Sequence, residues 1–241
     1  MGRGSIFQKR KGYRFSIDAL ILADFVACRQ ASARNKKNIH YADLGTGSGI
    51  IPILLFKWKQ NLTGYGVEIQ ERLADMAERN IRLHHLEDRF KILHMNLVSL
   101  PDRFTEGSFD WITINPPYRR LHSGRLNPNP EKALARHEIS VTLEGICSVM
   151  AHLLRVKGKA YIIYPASRLA DLISQLRQEG LEPKCLKPVY PKPGERAVWI
   201  LVEAACGGGS GLTVENPLYV EDKEGKYSEQ IEQIFLWKFD D

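Results

Sequence analysis

Residues 109–118 read FDWITINPPY, an apolar run that passes directly into Asn115-Pro116-Pro117-Tyr118. These residue types, in this order, suit the handling of a planar exocyclic amine. Such an NH2 is a poor nucleophile, because its lone pair is delocalised into a ring or carbonyl. Two acceptors aimed at its hydrogens would fix it and press the nitrogen toward sp3. The Asn115 amide oxygen can be one acceptor and the Pro116 carbonyl the other, its aim fixed by proline's locked φ and missing N–H. Tyr118 adds a flat face on which a base lifted from its helix or loop can stack. The same letters also write an Asn-Pro turn that ends a strand, so the motif must be weighed with its surroundings.

Upstream, Ile39 to Leu44 forms a short apolar strand pattern that ends on Asp43-Leu44. It is followed by Gly45-Thr46-Gly47-Ser48-Gly49 and the apolar run from Ile50 to Trp58. Strand, glycine-rich turn and helix make the first half of a βαβ unit, where glycines let backbone N–H groups approach a ligand. The dinucleotide fingerprint asks for a small residue at position 50, and Ile50 stands there. A pyrophosphate is therefore not required. Asp43 suits a ligand with positive charge, and S-adenosylmethionine, with its ammonium and sulfonium, fits. A second strand, Gly64 to Val67, ends at Glu68, placed as a ribose-hydroxyl acceptor about 20 residues beyond the glycines. Alone, Glu68 reads as a solvated strand end. With Asp43, the glycines and Asn115-Pro116-Pro117-Tyr118, it falls in the order of strands one, two and four of one sheet.

The chain has 241 residues, 44% hydrophobic and 26% charged, the profile of an ordinary globular protein. That length suits one domain spanning 1–241, with residues 1–14 as a basic leading segment. No apolar run approaches the ~18 residues of a membrane span, and no apolar h-region follows the basic start. The expected location is the cytoplasm. Cys28, Cys147, Cys185 and Cys206 are scattered without a C-x-x-C pair, which points to reduced structural thiols and no metal site. The net charge is +6, unevenly placed: residues 1–40 hold nine Lys or Arg against Asp18 and Asp24, whereas 221–241 hold seven carboxylates against three lysines. A basic end beside a group-transfer site suggests a polyanion bound through its phosphates. Lys9, Arg10, Lys11, Arg14, Arg119, Arg120, Arg125, Arg136 and His137 are the candidate contacts, each of them by itself also an ordinary surface residue.

Apolar spacing predicts helices over 16–26, 50–59, 70–85, 142–154 and 168–178. In the 70–85 helix Leu73, Met76, Ala77, Ile81 and Leu83 are expected to face inward. Strands are predicted at 39–44, 64–68, 90–94, 109–114 and 159–164. A closing hairpin, 183–190 with 197–203, is expected at the sheet edge. Residues 119–138 read as a loop. Strands alternating with helices indicate a doubly wound, mostly parallel α/β sheet.

Taken together, these segments resemble the class I S-adenosylmethionine-dependent methyltransferases, whose seven-stranded Rossmann-like sheet has an antiparallel last strand. GYRFSIDALILADF (12–25), DLGTGSGIIPILL (43–55), GVEIQERLADMA (66–77), NPPY (115–118), ARHEI (135–139) and PLYVEDKEGKYSEQI (217–231) are similar to the bacterial tRNA adenine-N6 methyltransferases that modify valine tRNA beside the anticodon. The resemblance implies that Asp43, Gly45, Thr46, Gly47 and Gly49 surround the methionine end of the cofactor. It implies Glu68 on the ribose, Asn96 and Leu97 around the adenine, Ile69 and Asn115 among the other cofactor contacts, and Asn115 to Tyr118 on the target base. Position 96 is usually Asp in such enzymes; Asn96 keeps an acceptor oxygen there, so weakened cofactor binding is expected. Related enzymes that carry NPPY act on ribosomal RNA, DNA or a protein glutamine amide. The glutamine enzymes add an N-terminal helical domain, and sequence-specific DNA enzymes a recognition domain, for which this chain leaves no room. A non-catalytic RNA-binding module is disfavoured by the intact NPPY and Glu68, and a nicotinamide oxidoreductase by Ile50.

Overall fold

A computed structural model of the protein describes residues 17–30, 38–116 and 141–239, the side chains of 236–239 excepted. The strands are β1 (Ile39–Leu44), β2 (Leu62–Glu68), β3 (Phe90–His94), β4 (Phe109–Ile114), β5 (Leu154–Pro165), β6 (Leu181–Tyr190) and β7 (Trp199–Cys206). Two short ones follow, β8 (Thr213–Val214) and β9 (Leu218–Tyr219). The helices are α1 (Ile17–Arg29), α2 (Ile50–Trp58), α3 (Glu71–Leu83), α4 (Leu143–Leu153), α5 (Leu169–Gln178) and α6 (Glu229–Phe239).

The strand order is β3-β2-β1-β4-β5-β7-β6-β8, with β9 also pairing β6. Pairs among β1 to β5 are parallel, whereas β7 runs antiparallel between β5 and β6. The expected seven strands with their reversed last member are therefore present. The hairpin is placed differently from its sequence reading: β7 is internal, and the outer side of β6 is covered by β8 and β9. Those two-residue strands follow the glycine-rich segment 207–211 and are too short to show a period.

Alternation along the strands sorts side chains onto two faces. Ile39, Tyr41, Trp111, Tyr161, Ile163 and Leu201 join a core with α1, α2 and α6, whereas Ala42, Leu44, Ile112, Ile114, Ile162 and Val202 join one with α4 and α5. Burial on both faces explains why the strands read as continuous apolar runs. Helix α1 is buried around most of its circumference, Ala19 to Ala23 as well as Phe25, Val26 and Ala27. Its burial extends beyond one stripe because α2, β5 and α6 all touch it. At its end the Arg29 Nε and Lys159 Nζ each lie 3.0 Å from the buried Glu203 carboxylate, tying α1 to β5 and β7. In α3, Leu73, Ala77 and Ile81 are buried as expected, but Leu83 is exposed, because two residues past Ile81 it lies about 200° round the helix from the inner face. Among the described residues no helix is long and apolar enough to cross a membrane.

The tightest backbone approach is between β1 and β2, where Gly64 faces Tyr41. A Cβ on Gly64 would lie 1.7 Å from the Tyr41 carbonyl oxygen, whereas one on Gly209 meets nothing within 4 Å. Gly64→Ala should therefore cost more than about 3 kcal/mol of stability and Gly209→Ala less than about 0.5 kcal/mol in urea unfolding. Equal effects would show that the two strands can part to admit a methyl group.

Candidate active site

The chain leaves β1 outward through β2 and β3 and then returns to β4 on the other side of β1. The carboxyl ends of β1 and β4 therefore flank a switch point, where open α/β sheets leave a crevice for ligands. Register fixes what stands there. Leu44 pairs with both Val67 and Ile114, and Glu68 with His94. Gly45, Glu68, His94 and Asn115 consequently stand at one level at the ends of four neighbouring strands. Asn115 is half-buried and Pro116 buried.

The turn after β1 reverses with Gly45, Gly47 and Gly49 at φ of 72, 58 and 80°, a region that suits glycine. Its amide hydrogens are largely committed. Gly45 and Thr46 donate to the Val67 carbonyl at 2.8 and 2.9 Å, and Gly49 to the Thr46 carbonyl at 2.9 Å. Gly47 N–H donates to Glu68 Oε2 at 3.0 Å. With these donors spent inside the protein, the turn is a poor phosphate cradle, in keeping with Ile50 at the position where the dinucleotide fingerprint wants a small residue.

Asp43 is 1% exposed and accepts two hydroxyl protons. Thr46 Oγ1 donates to its Oδ2 at 2.6 Å and Thr113 Oγ1 to its Oδ1 at 2.5 Å. Tyr41 Oη lies 2.5 Å from Thr113 Oγ1. Because the single Thr113 proton is given to Asp43, Tyr41 is the donor in that pair. The carboxylate thus binds the turn to β4 and does not stand open at the crevice. Burial pushes its pKa up to about 7; the two threonine hydroxyls work against this, and the nearby charge of Glu68 adds to it. Glu68 is also buried; its Oε1 accepts from Gln70 N–H at 2.9 Å. A carboxylate has about four lone-pair sites, so Glu68, with two taken, keeps acceptor capacity.

At the end of β3 Asn96 Oδ1 accepts from Val98 N–H at 3.2 Å and so caps the short 3-10 turn Leu97–Asp102. An asparagine oxygen serves such a cap as well as a carboxylate does. Ile69 and Leu97 are half-buried and Val98 is 46% exposed, leaving apolar surface beside Asn96. The Ile69 carbonyl lies 3.1 Å from His94 Nε2, which holds the loops after β2 and β3 together.

Three residues bear on this geometry that the motif reading leaves out. Thr113 is, with Asp110, one of two polar residues in an otherwise apolar strand. Asn80, wholly buried on α3, donates to the Ser48 carbonyl at 2.8 Å; its place seven residues after Leu73 marks the inner face of the helix. Ser48 Oγ is buried without a hydrogen-bond partner, alone among the described side-chain atoms in this. A Cβ on Gly45 would meet nothing within 4 Å. Open space at Gly45 and an unsatisfied hydroxyl in the same turn fit a turn built to close on a ligand. Pro117, Tyr118, Arg119, Arg120, Arg125, Arg136, His137, Lys9, Arg10, Lys11 and Arg14 lie outside the described residues.

A cleft of about 620 Å³ lies elsewhere, lined by Arg29, Lys157, Lys159, Lys184 and Glu203 among others. Arg29 and Lys159 are paired with Glu203, and Lys184 Nζ donates to the carbonyls of Gly209 and Ser210. Its cations are thus mostly committed within the protein, and it does not compete with the crevice as a ligand site.

The chain is similar to several known proteins in sequence and in fold. The family model of the Methyltransferase small domain matches residues 26–129, from α1 through the Asn115 segment. A tRNA1(Val) (adenine(37)-N6)-methyltransferase from Shewanella frigidimarina is 26% identical over 233 residues, covering 90% of this chain and 89% of that protein. A predicted O-methyltransferase from Agrobacterium tumefaciens superposes with a TM-score of 0.69 at 20% identity, over 92% of this chain and 96% of its own. A geranyl diphosphate methyltransferase in complex with S-adenosylmethionine gives 0.57 at 12% identity, over 78% and 85%.

Between the ordinary aspartate range near 4 and about 7, folded Asp43 keeps a proton that the unfolded chain has lost. Its contribution to stability therefore falls as pH rises through that window and levels off above it. Asp43→Asn, which has no such proton to lose, should gain on the parent by up to about 4 kcal/mol between pH 4 and pH 8 in chemical unfolding. A difference constant with pH would mean that Asp43 is ionised throughout.

Proposed function

We propose that this class I methyltransferase moves the methyl group of S-adenosylmethionine onto the exocyclic N6 of an adenosine in tRNA, beside the anticodon of valine tRNA. The observation that carries the reading is the placing of Asn115-Pro116 at the carboxyl end of β4, one residue beyond the Leu44–Ile114 pair and level with the glycine turn. The name of the Shewanella relative supplies the nucleotide and the tRNA. Action on tRNA implies the cytoplasm.

S-adenosylmethionine, when bound, supplies a methyl group on a positively charged sulfur; the C–N bond forms as the C–S bond breaks, and the electron pair stays on sulfur. Its methionine end belongs at Gly45, Thr46, Gly47 and Gly49, with Asp43 holding that turn from behind. Glu68 has lone pairs left for the ribose hydroxyls. Ile69 and Leu97 offer apolar surface to the adenine, and Asn96 Oδ1 keeps a lone pair for its amino group beside the Val98 bond.

The target adenosine leaves its loop, where unstacking costs less than in a duplex. Tyr118, two residues past Pro116 in sequence, is the stacking face. The Asn115 side-chain oxygen and the Pro116 carbonyl accept the two N6 hydrogens. No general base is demanded: the attacking amine is neutral, and its proton becomes acidic only as the C–N bond forms. The chain's task is then positioning, with acceptors for the positive charge that grows on N6. Lys9 to Arg14, with Arg119, Arg120, Arg125, Arg136 and His137, are the proposed phosphate contacts.

Transfer of labelled methyl from S-adenosylmethionine to unmodified tRNA should yield N6-methyladenosine on nucleoside digestion. Asn115→Ala should lower turnover by about 10²-fold or more with cofactor affinity nearly unchanged. Parallel loss of cofactor binding would make Asn115 structural, and label in protein or DNA in place of tRNA would overturn the substrate. Affinity for tRNA should also fall steeply between about 50 and 200 mM salt; a flat response would remove the phosphate contacts.

A further inference from the structure

We infer that Thr113 is a positioning residue for methyl transfer: through Asp43 it fixes Asn115 relative to the glycine turn. The inference deepens the methyl-transfer reading and rests on it for its kinetic consequence. Asp43 and Thr113 face each other across the β1–β4 pair. The Thr113 hydroxyl gives its proton to one Asp43 oxygen, and the Thr46 hydroxyl gives its own to the other. Tyr41, a turn of the pleat back on β1, donates to Thr113 and so orients that hydroxyl.

Tyr41 and Thr113 are 0% exposed, Asp43 1% and Thr46 4%, so no water competes for these bonds. The path from Thr46 in the turn to Thr113 in the strand therefore crosses a single carboxylate. Only Ile114 separates Thr113 from Asn115, and Ile114 is held by Leu44 on one side and Ile162 on the other. The two ends of the path are the turn proposed to hold the methyl donor and the side chain proposed to hold the acceptor amine. When no proton-transfer group limits the rate, the spacing between donor and acceptor sets it, and a displacement of about 1 Å can cost about 10² in rate.

Valine has nearly the shape of threonine and favours strands, so Thr113→Val removes the hydroxyl and little else. With S-adenosylmethionine and unmodified tRNA, Thr113→Val should lower kcat about 10- to 100-fold, while cofactor Kd and KM for tRNA stay within about threefold. Thr113→Ser, which restores the donor, should recover most of kcat. A second readout needs no RNA. Amide hydrogen exchange in Thr113→Val should quicken together in the turn 45–49 and at 114–115, and return toward the parent in Thr113→Ser. Unchanged kcat in a folded Thr113→Val, or exchange unaltered in both segments, overturns the inference. Absence of methyl transfer to tRNA by the parent protein counts against the proposed function alone, and the exchange measurement still decides the role of Thr113.

Discussion

Strand β1 pairs with β2 on one side and with β4 on the other, and the placing of every candidate group follows from those two ladders. Parallel pairing puts the carboxyl ends of adjacent strands at one level. Leu44 is opposite both Val67 and Ile114, so the residues that follow them, Gly45, Glu68 and Asn115, converge without any long-range loop having to find its place. Gly64 marks how close β1 and β2 come, since no side-chain atom fits between its α-carbon and the Tyr41 carbonyl. The apolar burial of both faces keeps these ladders rigid, and the polar groups above them inherit that rigidity.

The buried carboxylates show a consistent use. Asp43 and Glu68 each take two protein hydrogen bonds, and each of them joins two elements that sequence keeps apart: Asp43 the turn and β4, Glu68 the turn and the start of α3. Burying a carboxylate is expensive unless it is bonded, and the raised pKa of Asp43 is the visible remainder of that cost. Glu203 shows the alternative solution, with Arg29 and Lys159 as partners in place of hydroxyls. A hydroxyl-bonded carboxylate is shorter in reach and more sharply directed than an ion pair with long cationic side chains, which suits a position where spacing matters.

How much could be read from residues alone depended on whether the signal was local. Strand periodicity placed β1, β3 and β4 at their observed bounds, and the glycine turn, Glu68 and Asn115 were found because each sits at a strand end with a turn signal beside it. The same reading expected Asp43 to face a ligand, since a carboxylate before a glycine turn is the residue type that a cationic ligand calls for. Its engagement by Thr46 and Thr113 depends on a cross-strand register between residues 70 apart, which no local pattern encodes. The internal place of β7 is hidden for the same reason, strand order being a long-range property, and β8 and β9 are too short to show a period. Leu83, the last residue of α3, is apolar yet lies about 200° round the helix from Ile81, so its type alone is a poor guide to its face.

The chemistry and the architecture fit each other at one point in particular. A neutral aromatic amine attacking a sulfonium methyl group needs no proton removed beforehand, so a site for it does not need a titrating side chain poised near neutral pH. Asp43, whose pKa burial raises to about 7, is sealed from the crevice and spent on two threonines. Were it exposed, it would offer the electrostatics of a base where none is needed. Sealed, it makes the glycine turn and the Asn115 strand one body. Rigidity of that kind raises the rate only if it is already present before the substrates bind, because order created on binding must be paid for out of binding energy. The bonds that hold the turn to β4 are made entirely between groups of the protein, so the spacing between turn and Asn115 is a property of the fold, established when β1 pairs with β4.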